Sequence, residues 1–126
     1  MNHQAEYERL NKYDCQQLTR MLFAEFFNLK QGNTYWMSFS AHTPFSIMHC
    51  NPARSLDDLL KVTSTLLPKS WSLLFTVTHH EKGPRVGVHC PSEDDFILFK
   101  SSHNPTDMAR DMVRALIVFK GWFDHA

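Results

Sequence analysis

The chain has 126 residues, 43% hydrophobic and 21% charged, the size and makeup of one folded domain, which excludes a disordered tail. Thirteen Lys and Arg balance thirteen Asp and Glu, so the basic field that dominates nucleic-acid affinity is missing and direct nucleic-acid binding is not expected. Three widely spaced cysteines do not read as a disulfide framework, no basic-then-apolar leader opens the chain, and no apolar run nears the roughly 20 residues of a membrane span; the expectation is a single cytoplasmic domain over 1–126 with no membrane contact.

Gln4 to Lys30 reads as a helix. Cys15, Leu18, Leu22, Phe26 and Leu29 follow steps of three and four, Met21, Phe23 and Phe27 widen the stripe, and Gly32 is the expected stop. From Thr34 to Ala41 the period changes to two, with Tyr35, Met37, Phe39 and Ala41 alternating with Trp36, Ser38 and Ser40, as in a half-buried strand. Thr43-Pro44 interrupts this strand, because proline cannot donate to a ladder, and Phe45 to Cys50 resumes it.

Asn51-Pro52 is the expected opening of a second helix, with Ser55 and Asp58 a competing capping box one turn later. Leu56, Leu59, Leu60, Leu66 and Leu67 would give its apolar face, and Pro68 its end. Ser70 to His80, the return strand with Val86, Val88 and Cys90, and Phe96 to Lys100 form an antiparallel meander, with turn chemistry at Glu81-Lys82-Gly83-Pro84 and Pro91 to Asp95. Asn104-Pro105 opens the last helix, whose stripe is Met108, Met112, Leu116 and Phe119 and whose stop is Gly121. The two Asn-Pro openings, each followed at the same spacing by Asp58-Leu59 and Asp111-Met112, align with each other, as two helices with similar start signals would, or as a duplicated strand-helix unit would. The expected fold is α+β: an antiparallel sheet of about five strands covered by three helices, in the order α-β-β-α-β-β-β-α.

Few residues carry chemistry. No phosphate-cradling glycine motif is present. His49-Cys50 and His89-Cys90 are adjacent pairs on strands, where neighbours face opposite sides, so neither pair can easily share one metal. Cys50, just before a helix opening, is the best-placed thiol for an activated nucleophile, yet nothing resembling a hydrolase signature surrounds it. No catalytic, cofactor or metal residues are therefore assigned. Partner contact is the remaining role, through Trp36 as an aromatic anchor and through the hairpin tip His79, His80, Glu81 and Lys82 with Arg85, whose charge would depend on pH. Trp36 could instead be covered by a helix. Trp122-Phe123 reads as an aromatic fold-back onto the last helical turn.

From Trp71 onward, about half the chain, the sequence resembles a class of small phage-encoded accessory proteins with an α-β-α (ABA) sandwich. The meander, Asn104-Pro105, and then Ala109, Ala115-Leu116 and Phe119 on the terminal helix carry the resemblance, although Met108 and Met112 stand where that class has small residues. The resemblance implies a phage or mobile-element accessory protein and supplies no catalytic or ligand residues. With no catalytic constellation, it points to a non-enzymatic binder of a host protein, most concretely an anti-CRISPR-like inhibitor of bacterial defence. A Cys/His- or metal-dependent enzyme and a nucleic-acid-binding module are the alternatives. The sheet edge left by the meander could also pair with a second copy.

Overall fold

The computed structural model describes residues 2–37, 44–76, 83–91 and 97–124, the Trp122 side chain excepted. Its class is α+β. The elements run α1 (His3–Arg9), a 3-10 turn (Leu10–Lys12), α2 (Cys15–Arg20), a π-helical continuation (Met21–Phe26), then β1 (Lys30–Gln31), β2 (Tyr35–Met37) and β3 (Phe45–Ser46). They continue as α3 (Leu56–Leu66), β4 (Ser72–Thr76), β5 (Arg85–His89), β6 (Ile97–Lys100), α4 (Pro105–Val118) and α5 (Lys120–Asp124).

The long first helix of the sequence reading is broken in two. Asp14 accepts from the Gln17 N–H at 2.7 Å while the Gln17 side chain accepts from the Asp14 N–H at 3.0 Å, a reciprocal capping box that restarts the helix at Cys15. Gly32 is not the stop. Asn28 takes the left-handed conformation (φ 57°), and the Leu29 N–H reaches back to the Phe23 carbonyl at 2.8 Å. Asparagine thus does the work usually given to glycine at a helix C-terminus. The second helix starts at Leu56 rather than Pro52. Ser55 is its N-cap, accepting from the Asp58 N–H at 3.3 Å, while the Asp58 carboxylate turns back to the Asn51 N–H at 2.9 Å. Asn51 to Arg54 is a turn, so the alignment with Asn104-Pro105, where Asn104 does cap α4 through the Thr106 N–H, is not structural.

The strands form two antiparallel sheets of three, β1-β2-β3 and β4-β5-β6, rather than one sheet of about five. The strands of the first sheet are two or three residues long. Residues 47–49 turn instead of extending Phe45 to Cys50 as a strand, and 38–43 lie outside the described residues. The second sheet is the expected meander. Val86, Val88 and Cys90 are all buried, as their alternation requires. Gly87 lies so close to β6 that a Cβ there would come within 2.5 Å of the Ile97 carbonyl oxygen.

Two apolar clusters result. The larger joins α1, α2, α4 and the core face of β4-β5-β6 around Leu22, Phe26, Phe99, Met112, Leu116 and Phe119. The smaller packs Phe23, Trp36, Phe45 and Val62 between the first sheet and α3, and Phe27 touches both clusters. The α4 stripe is as read, but the helix breaks at Phe119, and Gly121 sits inside α5 rather than ending α4. Phe123 does fold back, stacking on Phe26 at 4.5 Å.

Candidate functional site

The sequence candidates separate in space. Trp36 is only 5% exposed, its ring stacked on Phe23 at 5.4 Å. Of the two readings the sequence allowed, the covered one holds, so Trp36 cannot insert into a partner as an exposed anchor. Its neighbours Tyr35 and Met37 occupy the outward face of β2 instead, both exposed. His79, His80, Glu81 and Lys82 lie outside the described residues. Arg85, the remaining member of that group, starts β5 opposite Thr76 on one side and Lys100 on the other. Its Nε is buried with no hydrogen-bond partner among the described residues.

Cys50 is not poised as a nucleophile. It no longer precedes a helix N-terminus, and burial, with Asp58 nearby, pushes its thiol up to about 11. That is the reverse of the depressed pKa that an activated thiolate needs. Among the described residues no three His, Cys, Asp or Glu side chains converge as metal ligands would, and no helix is long and apolar enough to cross a membrane.

Among the described residues, a polar cluster that the α4 stripe hides is buried. Asp111 and Arg114 are 4% and 5% exposed. Arg114 Nη1 donates to Asp111 Oδ1 at 2.9 Å, Arg114 Nη2 donates to the Tyr7 carbonyl at 2.6 Å, and the Ser101 hydroxyl donates to Asp111 Oδ2 at 2.8 Å. The guanidinium also lies 3.8 Å from the Tyr7 ring centre. The Tyr7 hydroxyl donates to the Lys100 carbonyl at 2.8 Å, and burial first, then the Asp111 charge, raises its pKa. The Tyr7 hydroxyl, the Asp111 carboxylate and both Arg114 Nη groups are committed to neighbours within the fold, while Arg114 Nε is buried with no hydrogen-bond partner among the described residues. The cluster clamps α1, α4 and the end of β6 together.

The second sheet has two unlike edges. In the β5-β6 ladder the Ser101 N–H bonds the Pro84 carbonyl at 3.0 Å, which fixes the phase. Pairs two residues apart exchange hydrogen bonds and the pairs between them do not. Lys100 therefore turns its backbone carbonyl away from β5, where Tyr7 caps it. Carried through the β4-β5 register, the same phase turns the N–H and C=O groups of Leu73 and Phe75 outward from β4. No described strand pairs with that edge.

Beside this edge runs an apolar groove of about 570 Å³ between β4 and α3. Trp71, Leu73 and Phe75 line one wall and Leu60, Thr63, Ser64 and Leu67 the other, with Pro68 and Lys69 at one end. Leu60 is 45% exposed although it belongs to the expected apolar face of α3; Val62, which that reading passed over, is fully buried. Turned-out backbone groups beside a row of apolar side chains are what an added strand requires: hydrogen bonds from the edge, and pockets for alternate side chains. Strand alternation showed which side chains share a face, but only the register showed which backbone groups are left over.

No family model matches the sequence, and no curated protein matches it. Among solved structures, a phage protein from Bacillus cereus ATCC 14579 is similar, with a TM-score of 0.51 and 10% identity, over 84% of this chain and 94% of that one. At that identity the likeness concerns the fold.

Proposed function

We propose that this chain is a non-enzymatic phage or mobile-element accessory protein that works in a bacterial cytoplasm by binding a host protein, most concretely as an anti-CRISPR-like inhibitor of host defence. The likeness in fold to a phage protein supports the phage setting. The observation that carries the binding role is the outward backbone of Leu73 and Phe75 beside the α3 groove. An extended partner segment with apolar side chains at alternate positions fits there, and Lys69 at the groove's end favours an acidic residue in that segment. Arg85, paired opposite Thr76 of β4, offers a second contact, and His79, His80, Glu81 and Lys82 are proposed with it from the sequence alone.

The test is plating efficiency. A phage targeted by a host's CRISPR system should regain plaques when the chain is expressed. Phe75→Lys, which places a charge in the groove wall, should abolish the rescue while the purified variant stays folded. The effect should be stoichiometric, reaching completion near one chain per target. Protection far below equimolar amounts, or its loss on Cys50→Ser, Cys90→Ser, His79→Ala or His80→Ala alone, would favour an enzyme. No rescue against any defence system tried, with no host protein co-purifying, would sink the proposal.

A further inference from the structure

A second concavity lies between the first two turns of α2, the β1-β2 pair and the turn that follows β3. Its volume is about 350 Å³, within the range of small-molecule sites. Its walls are unusually polar for a pocket in an aromatic-rich protein. Arg20 comes from α2 and Arg54 from the turn before α3, while Gln16, Gln31 and Asn51 bring side-chain amides from three different segments. The Trp36 ring, buried against Phe23, forms part of the wall, and Met48, 79% exposed, stands at it.

The two arginines give the cleft its chemistry. Neither guanidinium has an ion pair or hydrogen-bond partner among the described residues, although the chain carries as many acidic as basic side chains. Asp14 caps α2 and Asp58 accepts from the Asn51 N–H, while Asp57, which lines a neighbouring cavity with Arg54, forms no ion pair with it. Two arginines without ion pairs lining one small cavity suit an oxyanion. A phosphate monoester carries a charge of about −1.5 to −2 at neutral pH and matches two guanidinium groups, whereas a carboxylate matches one. The amides can then orient a polar body, and the Trp36 and Met48 surfaces can cover an apolar or planar one.

We propose that this cleft binds a small phosphorylated organic molecule, its phosphate held between Arg20 and Arg54. The net charge of zero argues for a small ligand rather than a nucleic-acid polymer, whose affinity would need a wider basic field.

Adenosine monophosphate, adenosine and inorganic phosphate are the probes, each titrated into the labelled full chain while amide, indole and guanidinium signals are followed by nuclear magnetic resonance. The monophosphate should shift the Trp36 indole N–H and the Arg20 and Arg54 Nε–H signals together, and binding should weaken with added salt. Inorganic phosphate should shift the arginine signals alone, at higher concentration, and adenosine should shift none. Arg20→Gln and Arg54→Gln should each weaken binding about tenfold. Both residues are exposed, so an unchanged melting temperature will show that the fold is intact. The proposal is overturned if millimolar monophosphate leaves the Trp36 indole unmoved, if adenosine binds as well as its phosphate, or if both arginine variants bind as the parent does.

Discussion

The two sheets of this protein have the same number of strands and are held by different means. The second, β4-β5-β6, has strands of four or five residues, lies against a 14-residue α4, and is locked to α1 and α4 through Tyr7, Asp111 and Arg114. The first, β1-β2-β3, pairs only two residues across each ladder and relies on the aromatic stack of Phe23, Trp36 and Phe45. Ladder length and polar anchoring dominate one region, and shape-matched aromatic packing the other. The larger region therefore holds itself by many distributed contacts, and the smaller by a compact cluster centred on three rings.

The largest effect expected in either region comes from breaking the polar clamp. Arg114→Ala would leave the buried Asp111 with only the longer 3.4 Å contact to Arg110 and the Tyr7 carbonyl without its donor, and should cost about 3 kcal/mol in denaturant unfolding. Replacing the pair together, as Arg114→Met with Asp111→Leu, should recover most of that loss, because no uncompensated charge is left behind. If Arg114→Ala costs under about 1 kcal/mol, the clamp is ornamental and packing alone holds the larger region.

The aromatic region answers to a different substitution. Trp36→Ala should cost about 3 kcal/mol by emptying the centre of the small cluster. The backbone amides of β2 should then exchange with solvent much faster, while Val86 and Val88 of β5 keep most of their protection, as separate local openings require. Equal acceleration in both sheets would show a single cooperative unit, and the contrast between the regions would fail. Gly87→Ala sharpens the same contrast from the other side. With backbone at 2.5 Å from the new Cβ, it should cost about 2–3 kcal/mol, whereas Gly121→Ala, facing open space in α5, should be neutral or stabilising.

The same division explains what could be read from the sequence. The meander and α4 were legible because period-two and period-3.6 patterns ran long enough to fix which side faces the core: Val86, Val88, Met112 and Leu116 are all where the alternation puts them. The polar clamp was not, because Asp111 and Arg114 look like solvated charges until Tyr7 is brought over them from more than a hundred residues away in sequence. In the N-terminal half the signals were short and in competition. Alternation put Trp36 on the face of Ser38 and Ser40, opposite Tyr35 and Met37, and tertiary packing against Phe23 reversed it, burying Trp36 and exposing its two neighbours. The β4 edge was legible only as an edge, since its outward groups depend on register, and the Arg20 and Arg54 cleft joins segments that no local pattern links.

Alkaline titration separates the regions by a smaller margin. The small cluster holds the Cys50 thiol, whose pKa rises from an ordinary value near 9 to about 11 on folding. A raised pKa means that the folded state keeps a proton the unfolded state releases. This contribution is thus complete below about pH 9 and is lost as pH climbs through about 11. The larger region holds the Tyr7 hydroxyl, raised in the same direction from an ordinary value near 10, so its loss begins higher. Cys50→Ala should flatten the fall in melting temperature between about pH 9 and 10, by on the order of 1 kcal/mol, where Tyr7→Phe should change little, and Tyr7→Phe should flatten the fall above about pH 10. A Cys50→Ala profile parallel to the parent's would mean that the thiol is hydrated.

The smallest effects test where the helices begin, and here the regions differ through a single residue. Asn104 accepts from the Thr106 N–H at 2.8 Å and caps α4 itself. Asn51, in the same Asn-Pro context, caps nothing; its side chain only donates to the Met48 carbonyl at an exposed 3.5 Å, and Ser55 starts α3. Asn104→Ala and Ser55→Ala should therefore each cost about 1 kcal/mol. Asn51→Ala should cost a few tenths, because the backbone bonds of its turn, including its N–H to Asp58, survive the substitution. The comparison is cleanest as the difference between the two asparagine variants in one denaturant series with a common slope. If Asn51→Ala were as costly as Asn104→Ala, the helix would reach back to Pro52 in solution, Arg54 would sit within its first turn, and the wall of the polar cleft would have to be redrawn.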